Sequence, residues 1–218
     1  MNYVEFVKPF RTYQQQIDIL RARGLIIDDE EYAKRVLRSE NYYRLSGYWL
    51  TMVKKQGDPT DDVFYPNTTF ENIVDVYQFD VDLREIVLSA TSTIETNLKA
   101  YIAYYHALKY GPLGYMNYEN FEDIDRHSGM MYELCKDKSA RRSELFVRHH
   151  KDCKGNIFPV WVATELMSFG QVSKFYKNMV SEDRNWMARE FYNIPSREYI
   201  ESWIQCAVVA RNIAAHGG

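Results

Sequence analysis

From Thr69 to Tyr110 the chain carries neither proline nor glycine, and its apolar residues recur at intervals of three and four. Phe70, Ile73, Val74, Tyr77 and Val81 share a helical face, Ile94, Leu98 and Ile102 continue the pattern, and Gly111-Pro112 ends it. Thr91, Ser92 and Thr93 mark a kink or a change of register, so the segment reads as one very long helix or as two in line. A chain organised round such a rod has few options beyond helix packed on helix.

The remaining segments agree. Strict apolar/polar alternation is hard to find. Thr12 is placed to cap a helix that carries Tyr13, Ile17 and Leu20 inward and stops at Gly24. The acidic turn Asp28, Asp29, Glu30, Glu31 opens a second helix through Ala33 and Leu37, and in "NYYRLSGYWL" Leu45, Tyr48, Trp49 and Met52 again fall on one helical face. Gly57, Pro59 and Pro66 make the clearest break, with room for a short irregular or extended piece. Residues 116–156 are polar and less periodic. Pro159 opens the apolar "PVWVATELMSFG", closed by Gly170, and "QVSKFYKNM" follows as another helix. Ser196 caps the last helix, on which Ile200, Trp203, Ala207, Ala210 and Ala214 form the inward repeat. The expected fold is all-α, with a small N-terminal helical module over residues 1–60 and a larger bundle of long helices over residues 61–218.

Composition restricts function. Eighteen Tyr and eleven Phe imply a core built largely from side chains with polar rims. Cys135, Cys153 and Cys206 are odd in number and widely spaced, which argues against a disulfide framework and fits a reducing compartment. The N-terminal "MNYVEFVKPF" has neither a basic nor an apolar leader region, and no apolar run is long enough to span a bilayer, so a cytoplasmic protein with no membrane partner is expected. At a net charge of −3, an anionic partner has to be met by a local patch.

Chemistry concentrates at "VARNIAAHGG". Arg211 and His216 stand five apart, about 140° round a helix and about 7.5 Å along it, so they do not share a face. Asn212 and His216, at i and i+4, do, so the Asn212 amide is placed to orient the imidazole while the arginine reaches round. An imidazole suits acid and base work near neutrality, and a guanidinium can neutralise the charge that builds on a phosphorane-like transition state. The spacing by itself is weak: five histidines and fifteen arginines yield about one Arg-x(4 to 6)-His match by chance, and Arg142 with His149 is a second. Asp80 and Arg84 form an i,i+4 pair on the long helix, with Glu95 further along among apolar neighbours; each reads first as structural. Cys135, His149, His150 and Cys153 are metal-ligand types without a familiar zinc spacing, so no metal and no cofactor are expected. Lys136 to Lys154 holds seven Lys/Arg against three Asp/Glu, which makes Arg141, Arg142, Arg148 and Lys151 the candidate RNA contacts against the plainer reading of a solvated loop. Tyr42, Tyr43, Tyr48 and Trp49 could stack bases, but aromatics at helical spacing are more often core.

Four stretches occur in an order that carries further information: "KPFRTYQQQIDILRARGLIIDDEEYAKRVLRSENYYRLSGYW", "YQFDVDLREIVLSATSTIETNLKAYIAYYHALKYG", "PVWVATELMSFGQVSKFYKNM" and "RNIAAH". Together they resemble the Abi-like family of bacterial abortive-infection proteins, the AbiD/AbiF group, over nearly the whole chain. That family is similar to the HEPN superfamily of all-α proteins, many of them metal-independent endoribonucleases with an R-x(4 to 6)-H motif. The resemblance implies a HEPN-like bundle and a phage-defence endoribonuclease that leaves a 2′,3′-cyclic phosphate and a 5′-hydroxyl. It implies His216 as acid/base, Arg211 as phosphate clamp and Asn212 as orienter, with Asp80, Arg84 and Glu95 in support. Relatives are expected to continue past the histidine into a further segment. The partners it implies are an RNA substrate, a second copy of the chain with its motif facing the first across a two-fold axis near Ala214 and Ala215, and a phage-derived trigger or cognate inhibitor. A non-catalytic module that binds RNA or a partner protein is the alternative.

Overall fold

The computed structural model describes residues 9–55 and 62–216. They are all-α apart from one two-stranded hairpin, and they fall into two compact units, Met1–Leu83 and Arg84–Gly218.

In the first unit α1 (Tyr13–Ala22) begins in a capping box: the Thr12 hydroxyl accepts from the Gln15 amide, and the Gln15 side chain accepts from the Thr12 amide at 2.9 Å. Ile17 and Leu20 point into the core as expected, whereas Tyr13 is exposed. The chain leaves through Gly24 at φ 89°, a conformation open to glycine at no steric cost. The Asp29 carboxylate caps α2 (Glu30–Ser39), which buries Ala33 and Leu37. The third helical stretch is shorter than its periodicity suggests. After α3 (Tyr42–Ser46) the chain passes into turns at Gly47, although Leu45 and Trp49 still face inward and Tyr48 and Met52 are half-buried. Strands β1 (Val53–Lys54) and β2 (Val63–Phe64) pair antiparallel, with Val53 opposite Phe64. Pro66 sits in the following turn, while Gly57 and Pro59 lie outside the described residues.

Helix α4 (Phe70–Tyr110) is a single helix of 41 residues. Thr91 does not break it; its hydroxyl donates to the Val87 carbonyl at 2.7 Å without interrupting the helix. Phe70 and Ile73 belong to the core of the first unit, so the division falls inside α4, beyond the polar break at which the sequence alone put it.

The second unit takes α4 from Arg84 onward, two short 3-10 turns, and six further helices: α5 (Ile124–Ala140), α6 (Leu145–Cys153), α7 (Val160–Leu166), α8 (Phe169–Asn178), α9 (Ser181–Tyr192) and α10 (Arg197–His216). The less periodic region is thus largely helical, with Leu134 and Val147 as inward anchors. Gly170 does not end a helix. The preceding helix stops at Leu166, and Ser168 opens the next in a capping box with Gln171, placing Gly170 in its first turn. Helix α8 buries Phe169, Val172, Phe175 and Tyr176 and packs against both α5 and α10.

Helix α9 has no counterpart in the sequence-based expectations, and it holds the most buried charges of the unit. Asp183 accepts from Tyr105 at 2.8 Å and Tyr110 at 2.7 Å and pairs with the Lys109 ammonium, so three side chains from the end of α4 converge on one carboxylate. Arg184 reaches Glu201 at the start of α10 and Glu122 ahead of α5, each at 2.6 Å. These bonds fix where α10 starts.

Candidate nucleic-acid site

Helix α10 is anchored at its start by Ile200 and Ile204, with Arg197 and Arg184 both on Glu201. Three turns on it presents Arg211, Asn212 and His216. Arg211 is half-buried, and Asn212 and His216 are exposed. The Arg211 Nη1 donates to Asn212 Oδ1 at 3.0 Å, so the amide engages the arginine where the i,i+4 spacing had suggested the imidazole. The helix end can therefore offer a cation steadied by a neutral amide, with an accessible imidazole one turn further on.

Ala214 is only 5% exposed, so its side chain is already covered by the chain itself, whereas Ala215 is exposed. The outward face of α10 is a different row. Tyr199, Trp203, Cys206, Ala210 and Ile213 follow one another at four, three, four and three, and Trp203 and Ile213 are 55% and 56% exposed. Trp203, an expected inward position, is thus on the outside, while Ala210 is half-buried. The signal in the sequence was the second apolar row starting at Tyr199, one residue out of phase with Ile200.

Of the supporting residues, Glu95 pairs with Lys99 at 2.9 Å on its own helix. Asp80, in the first unit, accepts from the Tyr48 hydroxyl at 2.7 Å. Arg84 is half-buried at the start of the second unit. Each of these side chains has a place in the packing of α4 or its surroundings.

The basic stretch divides. Arg141 holds both carboxylate oxygens of Glu144, at 2.6 and 2.8 Å, and the Glu165 carbonyl at 2.9 Å, thereby tying the turn after α5 to α7. The guanidinium draws the Glu144 carboxyl below its ordinary range, and the carboxylate pushes the Arg141 pKa up. Arg142 and Arg148 are exposed, and Lys151 is half-buried. His150 bonds through Nδ1 to the Phe146 carbonyl at 3.0 Å and stacks on Phe158. Among the described residues no group of three or more His, Cys, Asp or Glu is arranged to hold a metal ion. Of the aromatics, Trp49 is core, Tyr42 and Tyr48 are half-buried, and Tyr43 is exposed.

Among the described residues no helix is long and apolar enough to cross a membrane. A family model described as Abi-like protein matches residues 35–218. No curated protein and no solved structure matches the chain.

Proposed function

Because the chain belongs to the Abi-like family, which implies abortive-infection phage defence, we propose that it is a metal-independent endoribonuclease of the HEPN type with Arg211, Asn212 and His216 at its site. The observation that carries this reading is the end of α10: a guanidinium held by Asn212, with an exposed imidazole one turn on, in the segment that matches the family.

In this chemistry a neutral imidazole takes the proton of the RNA 2′-hydroxyl as that oxygen attacks the adjacent phosphorus. An imidazolium gives a proton to the departing 5′-oxygen. The P–O5′ bond breaks, and the products are a 2′,3′-cyclic phosphate and a 5′-hydroxyl. Arg211 neutralises charge on the non-bridging oxygens as the phosphorane forms. One chain supplies one histidine and one arginine, pointing about 140° apart, so a homodimer with the two motifs in one groove completes the set. The row Tyr199, Trp203, Cys206, Ala210 and Ile213, exposed except at the half-buried Ala210, is the seam we assign to that contact, since its spacing is that of two packed helices.

Incubation of the pure protein with end-labelled RNA in EDTA tests the reading. Cleavage should persist, its products should carry cyclic phosphate, and it should vanish in Arg211→Ala and in His216→Ala. Cleavage that requires a divalent ion, or that survives in His216→Ala, would overturn it.

A further inference from the structure

Two grooves flank α8, and Lys174 and Lys177 line both. Between α5 and α8 lies a groove of about 490 Å³ whose walls include Arg126, Tyr132, Lys174 and Lys177. Between α8 and α10 lies another of about 310 Å³, walled by the same two lysines on one side and by Glu201, Gln205, Val208 and Val209 on the other. Lys174 and Lys177 are three apart on one face of α8, and both are exposed. No carboxylate among the described residues holds either ammonium. The acids nearby are engaged elsewhere: Glu133 by Lys136 at 3.9 Å, Asp123 by Arg126 at 3.2 Å, Glu201 by Arg184 and Arg197, and Asp137 by the Gln171 amide at 2.7 Å. The crest of α8 is therefore a local positive ridge on a chain of net charge −3.

Beside the ridge stands Tyr132, 69% exposed, on the wall of the first groove. An accessible aromatic face next to free cations suits a single strand, whose unpaired bases can stack while its phosphates meet the lysines; the bases of a duplex are not available to it. The second groove has a direction. Tyr176 donates to the Arg184 carbonyl, and Arg184 holds Glu201, so the C-terminal end of α8 lies at the start of α10 and the Gly170 end lies toward Val208 and Val209. On α10 the groove wall of Glu201, Gln205, Val208 and Val209 continues at helical spacing into Asn212 and His216, about 10 Å beyond Val209.

We propose that single-stranded RNA crosses α8 with a base on Tyr132 and its phosphates on Lys174 and Lys177, then follows the α8–α10 groove to Asn212 and His216. The proposal rests on the reading of α10 as an RNA-cleaving end. It moves the phosphate contacts from the stretch after α5 to α8.

The test uses the full chain and a fluorescein-labelled single-stranded RNA made uncleavable by 2′-O-methylation, read by anisotropy across a salt series. Lys174→Glu/Lys177→Glu should weaken binding at least about 30-fold at low salt and reduce the slope of log K against log salt by about 1.4, the share of two phosphate contacts on a single strand. Tyr132→Ala should weaken binding about tenfold and leave the slope unchanged. Arg142→Glu is the charge control, and circular dichroism confirms each fold. If the wild type binds and the double reversal leaves affinity and slope alone, the ridge assignment is wrong. If the reversal also leaves cleavage intact while Arg211→Ala and His216→Ala abolish it, the cleavage reading stands without the ridge. A wild type that binds no single-stranded RNA overturns both, and one that binds duplex as tightly, with Tyr132→Ala silent, overturns the stacking platform.

Discussion

Arg211 and Asn212, adjacent on α10, are joined by a hydrogen bond of 3.0 Å from the guanidinium to the amide oxygen. If Asn212 works by steadying the arginine, its loss should weaken the clamp and leave the imidazole alone. A hydrogen bond to a charged group contributes about 1.5 kcal/mol, or roughly a tenfold change in rate. Asn212→Ala should therefore cut kcat about tenfold, with the pH–rate profile in place. A displaced profile would show that the amide serves His216 instead.

His106 is fully buried on α4 against Tyr110, Phe121 and Phe175, and among the described residues neither ring nitrogen has a hydrogen-bond partner. Burial pushes its pKa down to about 4; the Asp183 carboxylate opposes this, and His127 and Lys109 add to it. The unfolded chain takes up the proton near pH 6.5, and the folded chain only near 4. Stability contributed by the neutral ring is complete above the first value and falls as pH drops to the second, by about 3 kcal/mol in all. Urea unfolding from pH 7 to 4 measures this. His106→Phe should flatten the dependence, and an equally steep loss in that variant would assign it elsewhere.

Asp183 is buried beneath three donors, and removing a buried charge partner costs about 3–5 kcal/mol. Asp183→Ala should lower the unfolding free energy by that amount, read as a lower urea midpoint at unchanged slope. Lys109→Met should cost less, because Lys109 is partly solvated and both tyrosine bonds survive it. Equal effects in the two variants would mean that the ion pair, and not the convergence of donors, dominates.

The seam on α10 predicts the oligomeric state. Trp203→Glu places a charge in the middle of the apolar row and should convert a dimer to a monomer in sedimentation, with helix content retained. The same change at Tyr43, also exposed but in the first unit, should leave the assembly intact. A monomeric wild type that cleaves RNA would remove the need for a second chain.

Much of this fold could be read locally. Thr12 with Gln15, Asp29 ahead of α2, and the uninterrupted run into Tyr110 are signals that a few neighbouring residues carry. So is the placement of Arg211, Asn212 and His216 at the end of a helix. Helix α9 was not legible, because Asp183 and Arg184 look like surface charges until the fold brings Lys109 to one, 74 residues away, and Glu122 to the other, 62 residues away. Arg141's internal bonds were hidden for the same reason: in the sequence it is one basic residue among seven, and only the fold brings the Glu165 carbonyl to it. The role of Ala214 turned on phase. A small residue permits close approach, but which helix approaches is decided by the side of α10 it occupies, and here that is the inside.

The bond from Tyr110 to Asp183 joins residues 73 apart, so the carboxylate closes a long loop containing α5 to α8 without a covalent link. Together with Arg184 on Glu201 it makes the start of α10 a fixed base. Buried anchors then thin out along the helix, from Ile200 and Ile204 to the single small side chain of Ala214. Helix α10 is in effect a lever, rigid at its fulcrum and lightly held at its tip. Amide exchange should grade along it, with the base opening only when the whole unit does and the turn that carries Arg211 and Asn212 opening far more often. A helix end so held can adjust to a strand lying in the groove while its point of origin stays fixed.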